Sequence, residues 1–201
     1  MAAAAILEAT TPKLMTVDEF WEFTHLPANE NKHFELVRGE VIELPPPTKP
    51  HGRVCLNIGF ELESYARRTG LGYTVGNDAG VILEHDPDTV RGPDVSYFSE
   101  RTSFDKLDPK YSETVPTLVA EVQSPSERQV KVMRKIANYL DSGVKVVWLV
   151  NYEERFAALH RLNKSPEVFE SGQTITIAEL PGFSCSVDDL FGMPLEMQSP
   201  S

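Results

Sequence analysis

Cysteine, long apolar runs, glycine-rich phosphate loops and positive charge are all scarce in this chain, and each scarcity excludes something. Only two of 201 residues are cysteine, Cys55 and Cys185, far apart and in no metal-ligand spacing. A disulfide framework and a structural zinc site are thereby excluded, and two reduced thiols in a cytoplasmic protein are expected. No run reaches the roughly 18–20 apolar residues of a membrane span. Residues 1–6 are apolar but short and lack the basic stretch of a secretory signal, so 1–14 reads as a loose N-terminal arm. The absence of a glycine-rich phosphate loop speaks against a nucleotide-binding fold of the βαβ type. Lys and Arg number 19 against 30 Asp and Glu, a net charge of −11. A broad basic surface for nucleic acid is therefore not expected, and non-specific binding to polyanions should be weak.

What is present suits one soluble domain over residues 15–192, followed by a disordered tail over 193–201. Hydrophobic residues make up 41% of the chain and charged residues 24%, enough for a sizeable core. Thr16 and Glu19 form a capping box opening a short helix. His33 to Val37 and Glu40 to Leu44 read as a hairpin turning at Arg38-Gly39. From His51 to Arg68 apolar residues recur at helical spacing until Gly70. Strands are expected at 72–75, 80–84, 94–98 and 117–123, with a long polar connection over 99–116. A helix should start at Ser124-Pro125-Ser126 and run to Asp141, with Gly143 behind it. The apolar run 144–150 suits a strand covered on both faces, and 156–161 and 174–177 read as outer strands. The order implies a mixed α/β (α+β) architecture, a central sheet flanked by helices.

Two acids stand out. Asp94 follows Pro93 at a strand start, and Glu121 lies inside an otherwise apolar strand. Side chains alternate along a strand, so Glu121 and Gln123 share one face while Leu118, Ala120 and Val122 share the other. A buried acid needs positive compensation. Two carboxylates converging from neighbouring strands make a site for a hard cation, Mg²⁺ above all. Lys135, about 60° round its helix from Val132, stands at the edge of the buried face and can reach over the strand.

The chain also resembles a known family. Phe34-Glu35-Leu36-Val37-Arg38-Gly39-Glu40, His51 at a helix start, Pro93-Asp94 and Glu121-Val122-Gln123-Ser124-Pro125-Ser126 carry the likeness. Lys135 with Tyr139 four residues on, and Gly143 before the Trp148 strand, complete it. In order and spacing these look like the Uma-two (Uma2) family, restriction-endonuclease-like proteins of the PD-(D/E)XK nuclease superfamily, over about residues 15 to 192. The resemblance implies a restriction-endonuclease-like fold and Mg²⁺- (or Mn²⁺-) dependent hydrolysis of DNA. Asp94 and Glu121 would be the metal ligands, with the Val122 carbonyl a third donor. Gln123 departs from the superfamily's usual lysine; glutamine can align a water but brings no charge. The resemblance points to Lys135 as the substitute.

Lys131, one turn before Lys135, stands where the family has an acid. Its repulsion could push Lys135 toward the carboxylates, or mark a site that has lost activity. Glu35 is either a further acid near the metal or an exposed strand acid. His51 is either a phosphate contact or a capping or packing residue. Trp21 and Trp148 are expected in the core, and Glu61 and Glu63 on a solvated helix face. A catalytically silent binding module on the same fold is the competing reading. A third is a subunit-interaction protein dimerising through the 144–150 strand and the outer strands, and a homodimer is compatible with either of the others.

Overall fold

Thr16 caps the first helix, α1 (Val17–Thr24), as the capping box requires: its hydroxyl accepts from the Glu19 amide while the Glu19 carboxylate accepts from the Thr16 amide. The next two strands, β1 (His33–Val37) and β2 (Glu40–Leu44), form the expected hairpin. Arg38 and Gly39 take left-handed conformations at its two-residue turn, the geometry that matches strand twist. Helix α2 (Lys49–Thr69) starts two residues before His51, because Thr48 is the cap and Pro50 fits the first turn. Gly70, in the left-handed region, closes it.

There follow β3 (Tyr73–Gly76), β4 (Val81–Glu84), β5 (Thr89–Arg91), β6 (Val95–Phe98) and β7 (Leu118–Gln123). After these come α3 (Gln129–Asp141), β8 (Val146–Asn151), β9 (Phe156–His160) and β10 (Glu167–Phe169). The chain ends in β11 (Thr174–Thr176), β12 (Ser184–Ser186) and α4 (Val187–Phe191). This computed structural model describes residues 14–124 and 127–193. The expected arm up to residue 13, the tail from 194 and the Pro125-Ser126 helix start lie outside the described residues.

The central sheet has six strands in the order β10-β9-β8-β7-β6-β3, antiparallel throughout except for the parallel pair β7–β8. One face packs under α2, α4 and the β11–β12 ribbon through Leu118, Ala120, Val122, Trp148 and Ile58. The other packs under α3 through Val119, Val147, Val132, Ile136 and Tyr139. A second, four-stranded sheet, β2-β1-β5-β4, buries Leu36, Ile82 and Val90 with Phe20 of α1 in a third cluster. Among the described residues no helix is long and apolar enough to cross a membrane.

Several expectations need correction. The strand at 80–84 belongs to this second sheet, with the 33–44 hairpin, rather than to the central one. The 174–177 strand pairs only with β12, in a separate ribbon, and the sheet edge is β10 instead. Helix α3 begins at Gln129, with Arg128 in the cap position. The 144–150 segment cannot be a dimer face, because β8 is hydrogen-bonded on both edges and buried on both faces. Trp148 is fully buried as expected, but Trp21 is only half-buried, edge-on to Tyr111 and beside His25.

Two glycines, Gly52 and Gly59, lie within α2 where a Cβ would meet nothing within 4 Å. Each costs a helix about 1 kcal/mol against alanine.

Candidate active site

Strand alternation along β7 sends Glu121 to the α3 face, and the Val95–Ala120 register places Asp94 level with it on the neighbouring strand. The Asp94 carboxylate accepts from the Val122 amide at 2.7 Å, which locks the two strand ends together. Its other oxygen lies 3.4 Å from His51 Nε2 at the start of α2.

Helix α3 supplies the positive charge. Its buried residues Val132, Ile136 and Tyr139 fix its rotation on the sheet, and Lys135 falls at the margin of that face. Lys135 Nζ donates to Glu121 Oε2 at 2.7 Å and stands 3.4 Å from Glu35 Oε1. Tyr139, one turn on, donates its hydroxyl to the other Glu121 oxygen at 2.7 Å. Glu35 is 2% exposed, so it is no solvated strand acid. It accepts from Arg91 Nη1 at 2.6 Å and from the Gly92 amide at 3.3 Å. Arg91 in turn donates to Asn138 of α3 at 2.7 Å, tying the second sheet to the helix.

The titration behaviour follows from this crowding. Burial pushes the Glu121 carboxyl up to about 8, against the pull of Lys135 and with added repulsion from Asp94 and Glu35. Burial opposes the charge on Lys135 too, yet Glu121, Glu35 and Asp94 together raise its pKa, so at 2.7 Å the proton stays on the lysine. Burial works against the Glu35 carboxylate, but Lys135 and Arg91 outweigh it and hold its pKa low. Asp78, in the turn after β3, is raised by burial and by Asp94. Burial would lower His51, but Asp94 and, less strongly, Asp78 and Glu121 raise it.

Four carboxyl groups, Glu35, Asp78, Asp94 and Glu121, thus interact with two permanent cations, Lys135 and Arg91, and two histidines, His51 and His33. The cluster is short of positive charge and rich in hard oxygen donors, which fits a divalent cation held by Asp94 and Glu121. His51, Cys55 and Asp94 also bring three ligand atoms within 4.8 Å of one another. Burial raises the Cys55 thiol far above its ordinary value, with Asp94 and Asp78 adding to the effect, so a thiolate ligand is disfavoured beside these acids.

Of the expected residues, the structure brings together Asp94, Glu121, Lys135, Glu35 and His51. Gln123 is not joined to them by a hydrogen bond. Its amide donates to Gln129 and accepts from Asn151, although it borders the same small recess as Glu121 and Lys135. Lys131 is exposed and lies outside the network, whereas Glu63 pairs with Arg67 on a different stretch of α2. Arg91, Asn138 and Asp78 were not expected. Arg91 sits in a three-residue strand too short to show a pattern, and its only signal is its place just before Gly92-Pro93-Asp94.

Comparison with known proteins supplies the relationship. The sequence profile of the Uma2 family, described as "Putative restriction endonuclease", matches residues 20–188. A crystal structure from Anabaena variabilis, described as "a putative nuclease belonging to DUF820", superposes with a TM-score of 0.73 at 23% identity. The match covers 88% of this chain and 97% of that one, and at this identity it speaks for the fold. No functionally curated protein matches.

Proposed function

The chain belongs to the Uma2 family, and on that premise we propose that it hydrolyses phosphodiester bonds of DNA with Mg²⁺ (or Mn²⁺) held by Asp94 and Glu121. The observation that carries this reading is Lys135 Nζ, 2.7 Å from Glu121 and 3.4 Å from Glu35. A lysine beside the acids is what Gln123 cannot supply from the strand. The charge arrives from the helix instead.

A divalent cation in this cluster supplies Lewis acidity at a phosphate oxygen and a more acidic water. The chain's own residues do the rest. Lys135 places fixed positive charge where negative charge grows on the phosphate, which favours the transition state over the ground state. Glu35, clamped by Arg91, holds Lys135 as a second acid beside Glu121. Tyr139 orients the Glu121 carboxylate, and the Val122 amide orients Asp94. Gln123, on the rim of the same recess, aligns water once its amide is released from Gln129.

The test is cleavage of labelled single- and double-stranded DNA with Mg²⁺ or Mn²⁺ by wild type, Glu121→Gln and Lys135→Ala. Wild type should cut and both variants should not. A silent binding module remains the second reading, favoured by one observation: both Glu121 oxygens already have protein partners. It becomes the better account if wild type binds the cation yet leaves every substrate intact.

A further inference from the structure

Beside Asp94 lies an open cleft of about 350 Å³ that the catalytic residues do not fill. That volume falls in the range of roughly 300–1,000 Å³ typical of small-ligand sites. His51, Asp78 and Asp94 belong to its lining, so whatever occupies it lies directly against the acids. Pro47 and Leu56 give it apolar surface. Gly52 and Gly59 also line it, and a Cβ at either would meet no other atom within 4 Å. Nothing within the described chain therefore requires glycine there, although both weaken the helix; what they keep clear is the cleft.

One polar side chain of the lining is open to an occupant: Asn77 is exposed and makes no hydrogen bond to the described residues. Along the same helix as the two glycines, Leu56 and Phe60, one turn apart, are 62% and 67% exposed. Apolar surface beside an open carboxamide suits a planar heterocycle with hydrogen-bonding edges.

We propose that this cleft takes one unstacked nucleobase of the strand presented to Asp94, making the substrate single-stranded or locally unpaired nucleic acid. The inference rests on the hydrolytic reading of the neighbouring acids and adds the substrate class. The charge of the chain agrees with it. At −11 there is no excess of lysine and arginine to track a duplex backbone, so affinity must come from base burial and stacking, with Phe60 placed for the next base.

The full chain is titrated, with Ca²⁺ as a non-hydrolytic cation, into a short single-stranded DNA containing 2-aminopurine and into its blunt duplex. The single strand should bind at least about tenfold more tightly than the duplex, with a change in 2-aminopurine fluorescence. Gly59→Leu, which adds a side chain to the cleft lining where a Cβ meets nothing, should lose about tenfold in single-strand affinity while melting no lower than wild type. Asn77→Gly, which removes the carboxamide and keeps the left-handed backbone, should lose severalfold. Equal or tighter duplex binding, or wild-type affinity in Gly59→Leu, overturns the proposal. So does a dimer in solution that Gly59→Leu converts to monomer, since the cleft face would then be a self-interface. Base binding without hydrolysis in Mg²⁺ would leave the cleft standing and remove the nuclease reading; hydrolysis of duplex by Gly59→Leu at the wild-type rate would do the reverse.

Discussion

Lys135 is the residue on which the site turns, because it is the cation shared between two buried carboxylates. Removing it leaves Glu35, Asp94 and Glu121 with Arg91 as their one permanent cation among the described residues, and an uncompensated buried charge costs about 3–5 kcal/mol. Lys135→Ala should therefore unfold at markedly lower urea, and millimolar Mg²⁺ should restore more stability to it than to wild type. Its cleavage should fall by orders of magnitude while its affinity for Mg²⁺ holds or improves, the opposite split from loss of a ligand. Lys131→Ala, exposed and outside the network, should match wild type in both. Tyr139→Phe removes one hydrogen bond to Glu121 and should cost about 1 kcal/mol in a denaturant titration. Glu121 was legible in the sequence because an acid inside an apolar strand is anomalous wherever it occurs, and Asp94 because Pro93 and a strand start set it apart. Arg91 was not: nothing in its neighbours shows that β1 and α3 will close over it.

At the scale of elements, the long, strongly periodic pieces were readable and the short ones were not. The hairpin β1–β2, helix α2 and the buried strands β7 and β8 announce themselves through caps, turn residues and apolar runs. Strands β5, β10 and β12 have three residues each, below the length at which alternation means anything, and their pairing is decided by tertiary contact. The start of α3 was misplaced because Ser124-Pro125-Ser126 reads as a start signal, yet the helix begins at Gln129 with Arg128 in the cap position. Helix α2 offers a test of its glycines: Gly59→Ala should raise stability by about 1 kcal/mol in urea denaturation, since the new methyl meets nothing.

Strand β9 carries a pH probe. His160 Nε2 is enclosed without a hydrogen-bond partner among the described residues, and burial lowers its pKa below 6.5. The unfolded chain then takes up its proton first as pH falls, so this histidine contributes stability above pH 6.5 that is lost as pH drops through its folded value. His51, whose pKa is raised, acts in the opposite sense. The measurement is consequently the difference between wild type and His160→Gln: the variant should lose less stability than wild type between neutral pH and about pH 5. Parallel curves would show that the imidazole is solvated.

For the molecule as a whole, net charge and fold pull in different directions, and the local site reconciles them. On the proposed function, a chain at −11 can act on a polyanion because Glu35, Asp78, Asp94 and Glu121 are gathered where a divalent cation would invert the local charge. Weak dependence of binding on salt follows, since few phosphates can be neutralised by lysine or arginine. The central claim is that Asp94 and Glu121 bind the cation together and that Lys135 serves the chemistry rather than the binding. Calorimetric titration of Mn²⁺ into wild type, Asp94→Asn, Glu121→Gln and Lys135→Ala tests it most directly. Saturable binding to wild type, its loss in both carboxylate variants and its retention in Lys135→Ala are the predicted result. Unchanged affinity in Glu121→Gln, or no binding to wild type at all, would contradict it.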